Sequence, residues 1–197
     1  DFHMLRIYLV VAMILFPSIY IFSNDPADGS GQPFSISRDG ELRMDMNVSL
    51  AAEASYLGES SLDRSGVPAS IVGDVNGDGY DDIVITAVRN NIIITQSEAY
   101  LILGKPSGWS IDASLSNADA SFLEEGLGDQ MACTSSGGDV NGDGYDDLLF
   151  VAPMNSEGGS GAGQAYLVFG KASGWKKNFS LSGANASFIG EYAGDQV

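Results

Sequence analysis

The chain has 197 residues, of which 44 % are hydrophobic, so it is long enough to form a domain with a substantial core. Its formal net charge of −17 argues against binding nucleic acid or an anionic membrane through a basic face. The single cysteine, Cys133, excludes an internal disulfide and a cysteine-based zinc site, and we interpret it as a small buried side chain rather than a nucleophile.

Residues 1–23 are predicted to be an export segment. Arg6 precedes the largely apolar run 7–22, which as a helix would span roughly 24 Å, less than a ~30 Å hydrocarbon core. A basic residue followed by a short apolar run is typical of a secretory signal peptide, and Ser23 provides a small residue at its end. We favour a signal peptide over an uncleaved membrane anchor, and both over a helix in the domain core. Residues 24–46 are predicted to be an irregular linker.

Beyond the linker, the sequence repeats with a period of 66 residues. Three related apolar segments, Ala54–Leu57, Ala120–Leu123 and Ala186–Ile189, follow this spacing, and residues 99–105 match residues 165–171. Each period contains several short predicted strands, which are too few to close a core alone, so a solenoid or a propeller is expected. Four predicted strands per period favour propeller blades. A β-sandwich would not predict near-identical loops one period apart.

The predicted fold is therefore all-β, with β-propeller blades of four antiparallel strands preceded by an N-terminal hydrophobic helix over residues 7–22. Residues 47–119 are assigned to a first blade, 120–185 to a second, and 186–197 to the start of a third. Because propellers typically have four to eight blades, the sequence predicts that this chain is the N-terminal part of a longer protein.

An acidic loop marks each repeat: residues 74–82, DVNGDGYDD, recur unchanged at 139–147. Calcium prefers six to eight oxygen ligands at about 2.3–2.6 Å, which closely spaced Asp and Asn side chains provide on a tight turn. The glycine at the sixth position permits a positive φ, and by analogy with EF-hand loops the seventh residue would offer its carbonyl. Asp81 and Asp146, at the eighth position, are predicted to face solvent or to lie behind the ligands. The predicted calcium ligands are Asp74, Asn76, Asp78, Tyr80 and Asp82 in the first loop, and Asp139, Asn141, Asp143, Tyr145 and Asp147 in the second.

Three other interpretations of the loops are weaker. Asp, Asn and Gly also form turns without a metal, but four carboxylates in nine residues with no Lys or Arg would repel one another. An EF-hand requires Glu at the twelfth position, which here is Ile85 or Phe150. A helical calcium repeat would continue into a helix, whereas the β-branched and apolar residues at 83–88 and 148–152 predict buried strands.

These motifs together resemble the FG-GAP repeat, the blade unit of integrin α-chain propellers and of many bacterial surface proteins. Phe169-Gly170 is similar to its phenylalanine–glycine pair, and residues 151–153 (VAP) to its glycine–alanine–proline element. The first copy departs further, with Leu103-Gly104 and residues 86–88 (TAV) at the corresponding places. The resemblance covers about residues 47–197. It implies that the calcium loop joins strands of a blade on one face of a propeller that usually has seven blades.

The sequence predicts a binding protein rather than an enzyme. The only histidine is His3, in the predicted export segment, so no histidine-dependent catalysis is expected in the mature domain. We expect an exported, calcium-stabilised module for cell-surface adhesion or for binding an extracellular protein or glycan, with membrane contact only through an uncleaved N-terminal segment. The alternative is the non-catalytic part of a secreted phospholipase or polysaccharide-degrading enzyme. Sequons at Asn47, Asn178 and Asn185 predict a glycoprotein only in a eukaryotic host.

Overall fold

The computed structural model describes residues 6–10, 20–24, 35–36, 42–43, 52–59, 63–90, 95–136 and 138–196. These residues form β-strands and two short 3-10 helices, Leu115–Asn117 and Leu181–Gly183, and contain no α-helix. The all-β class predicted from the sequence is thus confirmed. The strands are β1 Arg6–Val10, β2 Tyr20–Asn24, β3 Ser35–Ile36, β4 Leu42–Arg43, β5 Ala54–Leu57, β6 Ser65–Gly73, β7 Asp82–Asn90, β8 Thr95–Ile102, β9 Ala113–Ser114, β10 Ala120–Leu123, β11 Ala132–Ser136, β12 Leu148–Ala152, β13 Gln164–Val168, β14 Phe179–Ser180 and β15 Ala186–Ile189.

Two repeated sheets form the main part of the structure. The first sheet has the order β14-β10-β8-β7-β6, in which all pairs are antiparallel except β10 with β14. The second sheet has the order β11-β12-β13-β15 and is antiparallel throughout. The first acidic loop joins β6 to β7, and the second joins β11 to β12. Each acidic loop therefore runs into a strand, as predicted, and the arrangement is consistent with β-propeller blades.

The sheets are offset by one strand from the predicted repeat units. The units were divided before residues 120 and 186, so that β10 would open the second blade. In the structure β10 instead pairs with β8, and β15 pairs with β13, so each closes the sheet that precedes it in the chain. Periodicity reveals the length of a repeat but not its phase, because every starting point in a cyclic pattern gives the same spacing.

The central strands of the first sheet are buried on both faces. Along β7, Ile83, Ile85 and Ala87 belong to one apolar cluster, whereas Val84 belongs to another. This alternation follows from the two-residue period of a strand, and the near-continuous apolar run reflects burial on both sides. The cluster that contains Val84 joins the first sheet to the second, and includes Val72, Leu101, Phe122, Leu148, Phe150 and Tyr166.

Aromatic packing around Phe122 seals the junction between the two sheets. Phe122 in β10 is 1 % exposed, and its ring centroid lies 4.8 Å from that of Phe150, 6.3 Å from that of Trp175 and 6.0 Å from that of Phe179. Phe188, at the same position in β15, is 58 % exposed. The residues after β13 thus cover the edge strand of the first sheet.

A buried serine fixes this junction through the backbone. Ser121 Oγ accepts a hydrogen bond from the amide of Asn178 at 2.8 Å, and the Ser121 amide donates to the Lys176 carbonyl at 3.2 Å. Asn178 has a φ of 57°, so the chain turns sharply at this residue before entering β14. Ser55 makes the equivalent bond with the amide of Asp112. The contact is therefore repeated from one sheet to the next.

The helix predicted over residues 7–22 stays a prediction, because the structure describes only two short parts of this segment. Those parts are the strands β1 and β2, which pair with each other, and β1 also pairs with β5. The β-branched and aromatic residues of both segments favour strands, and Tyr8 lies opposite Ser55 as Tyr100 lies opposite Ser121. Residues 11–19 lie outside the described part of the chain. Among the described residues, no helix has the length and hydrophobicity needed to cross a membrane.

Replacing Ser121 with alanine should weaken the junction between the sheets. The substitution removes the acceptor of the Asn178 amide in a partly buried hydrogen bond, and losing such a bond costs about 0.5–1.5 kcal/mol. Ser187 occupies the same position in β15 and is exposed, so Ser187→Ala should change stability by less than about 0.5 kcal/mol. Urea denaturation of the two variants measures the difference, and equal destabilisation would contradict this role of Ser121.

Candidate metal centre

Both acidic loops fold around the carboxylate of their first residue. Asp74 Oδ1 accepts from the amides of Gly77 at 2.7 Å and Asp78 at 3.0 Å, and its Oδ2 accepts from the amide of Gly79 at 2.8 Å. Asp139 makes the same three bonds in the second loop at 2.7, 3.0 and 2.8 Å. An Asp side chain that hydrogen-bonds to following amides is a common way to hold a tight turn. Identical sequences thus give identical loops.

The third and fifth residues of each loop lie side by side at its exposed end. Asn76 Oδ1 accepts from the Asp78 amide at 3.0 Å, and Asn76 Nδ2 donates to Asp78 Oδ2 at 2.8 Å. Asp78 Oδ1 in turn accepts from the amide of Tyr80 at 3.0 Å. The same pairing recurs between Asn141 and Asp143. The structure therefore brings together the predicted ligands at the first, third and fifth positions of each loop.

The ninth residue has a different position, buried beneath the loop. Asp82 is 0 % exposed, and its two carboxylate oxygens accept from the amides of Val75 at 2.9 Å and Gly104 at 2.6 Å. Asp147 bridges Val140 and Gly170 in the same way, at 2.9 and 2.8 Å. This carboxylate ties the start of the loop to the turn that follows the third strand of the sheet.

Burial raises the pKa of Asp82 to about 6. Hydrogen bonds from the amides of Gly104 and Val75 act in the opposite direction, and the nearby charges of Asp78 and Asp74 raise the pKa further. An ionised Asp82 therefore carries an unfavourable free energy, which a cation bound to the loop would reduce.

Steric constraints explain why glycine occupies position 170, in the phenylalanine–glycine pair. A Cβ on Gly170 would lie 2.5 Å from the Cβ of Tyr145 and 3.0 Å from the carbonyl oxygen of Val75, and closer still to the carbonyl oxygen of Asp146. Gly104 lies equally close to the first loop, with a built Cβ 2.7 Å from that of Tyr80. Only glycine allows the buried carboxylate to reach this backbone amide. The sequence signal for the contact between the ninth loop residue and this glycine is that a glycine follows the loop in both repeats, at positions 104 and 170.

The donor chemistry of both loops suits a hard cation, because the predicted ligand atoms are all oxygens. Their arrangement is not that of a closed metal site: among the described residues, no group of three or more Asp, Glu, His or Cys side chains is placed to hold a metal ion. The loop carboxylates instead accept hydrogen bonds from loop amides. Calcium coordination by these residues therefore remains a prediction.

The two loops also contact each other, which the sequence did not predict. The amide of Asp74 donates to Asp146 Oδ2 at 2.9 Å, and the amide of Lys171 donates to the Val75 carbonyl at 2.9 Å. Asp81 is exposed as predicted, whereas Asp146 lies half-buried against Asp74, the first residue of the other loop. Sequence reasoning treated the two eighth-position residues as equivalent because the loops are identical.

Sequence comparison agrees with this architecture. A profile of the FG-GAP repeat matches residues 68–91, which contain the first loop and β7, and residues 134–168, which contain the second loop, β12 and β13. The chain therefore contains FG-GAP repeats at these two positions. No curated protein matches it significantly. The matched ranges contain both buried carboxylates, Asp82 and Asp147, and the amides of Val75 and Val140 from which they accept hydrogen bonds.

Replacing Gly77 with alanine should destabilise the protein more than the same change at Gly142. Both residues stand at the fourth position of their loops, with φ of 75° and 76°. The free-energy cost of placing alanine in this conformation is therefore the same at both sites. A Cβ on Gly77 would meet the Tyr145 ring at 2.6 Å, whereas one on Gly142 meets no atom of the described residues within 4 Å. We expect an additional loss of about 1–3 kcal/mol for Gly77→Ala, as in overpacked sites. Thermal or urea unfolding measures this additional loss, and equal losses in the two variants would contradict a steric clash with the Tyr145 ring.

Proposed function

We propose that this protein is an exported, calcium-stabilised propeller module that binds an extracellular protein or glycan and has no catalytic activity of its own. The observation that carries the calcium proposal is the repetition of one acidic loop with one set of hydrogen bonds. A turn that served only to connect strands would not need four carboxylates. Their mutual repulsion favours a bound cation over an empty loop.

The predicted ligands support this proposal by their placement. Asp74, Asn76 and Asp78 lie together at the accessible end of the first loop, and Asp82 lies behind them. Asp74 Oδ2 and Asp78 Oδ1 each accept one amide hydrogen bond, and a carboxylate oxygen with one such bond keeps a further lone pair for a cation. Calcium binding requires the Asn76–Asp78 hydrogen bond to open, because both side chains would turn their oxygens to the ion. The bound ion would offset charge repulsion in the loop and stabilise the folded state.

A cavity beside the second loop supports a role in ligand binding. It has a volume of about 500 Å³, and its lining includes Asp143, Phe169, Trp175 and Lys176. Aromatic faces with a few charged groups are typical of small-molecule and glycan sites. The amine of Lys171 lies 4.8 Å from the Trp175 ring centroid and adds positive charge to a chain that is strongly acidic overall.

Export and the alternative function rest on the sequence. The basic residue and apolar run within residues 1–23 support export, by cleavage or by anchoring. The alternative is that the propeller belongs to a larger secreted hydrolase whose catalytic part lies outside this chain. Assays of the intact protein for phospholipase and polysaccharide hydrolysis, beside binding assays on glycan and matrix-protein arrays, separate the two.

Calcium should stabilise the protein through both loops. For a dissociation constant near 10⁻⁴ M, 1 mM calcium adds about 1.4 kcal/mol per site. Asp78→Ala and Asp143→Ala should each remove one share of the stabilisation, and the double variant should remove both. Asp81→Ala is the control, because Asp81 is exposed and is not a predicted ligand.

The measurement is the unfolding free energy of the intact protein in 1 mM calcium and in chelator. A parent protein with no calcium response, or a response that survives in the double variant, would overturn the proposed calcium sites.

A further inference from the structure

The two acidic loops have the same sequence but different surroundings. Tyr80 is 42 % exposed and Asp81 is also exposed, whereas Tyr145 and Asp146 are half-buried. The difference arises because the seventh and eighth residues of the second loop pack against the start of the first loop. The contact therefore joins one repeat to the next.

Asp146 and Asp74 form a reciprocal pair across this contact. The Asp74 amide donates to Asp146 Oδ2 at 2.9 Å, and the Asp146 amide donates to the Asp74 carbonyl at 3.1 Å. Gly73 leaves room for the carboxylate: a Cβ on Gly73 would lie 2.7 Å from Asp146 Cγ and closer still to Oδ2. Any larger residue at position 73 would displace Asp146.

Asp74 is also the residue around which the first loop is built. Its carboxylate accepts three loop amides, and it is the first of the predicted calcium ligands. A carboxylate that binds the Asp74 amide fixes the backbone from which that ligand projects. A charged acceptor makes this one of the stronger kinds of backbone hydrogen bond.

We propose that Asp146, in the second loop, is a positioning residue for the first loop. Cation affinity at the first loop then depends on a carboxylate of the next repeat, which binds the Asp74 amide rather than the ion. This inference rests on the proposed calcium binding for its effect on affinity. Its effect on the Asp74 backbone is independent of calcium.

The first test measures hydrogen exchange at the Asp74 amide of the intact protein in chelator. Asp146→Ala should raise the exchange rate by about 10-fold or more, because a hydrogen bond to a charged group is lost. Asp146→Asn should retain most of the protection, because its amide oxygen still accepts. Asp81→Ala, the same change at the same loop position, should leave it unchanged. Equal exchange in the Asp146→Ala and Asp81→Ala variants would overturn the proposal.

The second test measures calcium affinity by titration calorimetry in an Asp143→Ala background, where only the first loop keeps its central ligand. Asp146→Ala should weaken binding about 10-fold, whereas Asp81→Ala, which removes a charge from the first loop itself, should weaken it less. A larger effect of Asp81→Ala would mean that charge, rather than positioning, sets the affinity, and would contradict the proposal. If the parent binds no calcium, the proposed function fails, and the exchange test alone decides the role of Asp146.

Two glycine variants provide the same comparison if Asp146→Ala does not fold. Gly73 and Gly138 precede the two loops with φ of 73° and 65°. A Cβ on Gly138 meets no atom of the described residues within 4 Å, so only Gly73→Ala should displace Asp146. The proposal is supported if the Asp74 amide exchanges faster in Gly73→Ala than in the parent, and at the parent rate in Gly138→Ala. Equal rates in the two variants would overturn it.

Discussion

The carboxylate at the ninth position of each acidic loop is the interaction on which the rest of the site depends. Asp82 and Asp147 are fully buried, and each joins the start of its loop to a glycine that follows the third strand of its sheet. A buried carboxylate is costly unless both oxygens are hydrogen-bonded, and here backbone amides provide both bonds. This bridge anchors the start of the loop and requires the glycine, and the carboxylate of the first residue then shapes the rest of the loop.

Neighbouring repeats interlock at two levels. In the core, Phe122 of the first sheet lies among Phe150, Trp175 and Phe179. At the loop end, Asp146 binds the backbone of Asp74. The apolar contact packs the two sheets together, whereas the polar contact joins the backbones of the two loops. Stability and cation binding are therefore expected to be linked between repeats rather than confined to each one.

The all-β fold, the strands after the loops and the two FG-GAP repeats were predictable, because repetition and a dense acidic motif are local signals. The strand at which each sheet begins was not predictable. The apolar pattern of β10 suits the sheet before it and the sheet after it, and only its pairing with β8 assigns it to the first sheet. The contact of Asp146 was also hidden, because its partner lies 72 residues away and the identical Asp81 is exposed.

The most direct test of the account is a crystal structure of the intact protein grown in millimolar calcium. The account predicts one ion in each loop, about 2.3–2.6 Å from oxygens of the first, third, fifth, seventh and ninth residues, with the Asp146 carboxylate on the Asp74 amide and not on the ion. Loops without ions under these conditions, or an Asp146 oxygen within the coordination sphere, would contradict it.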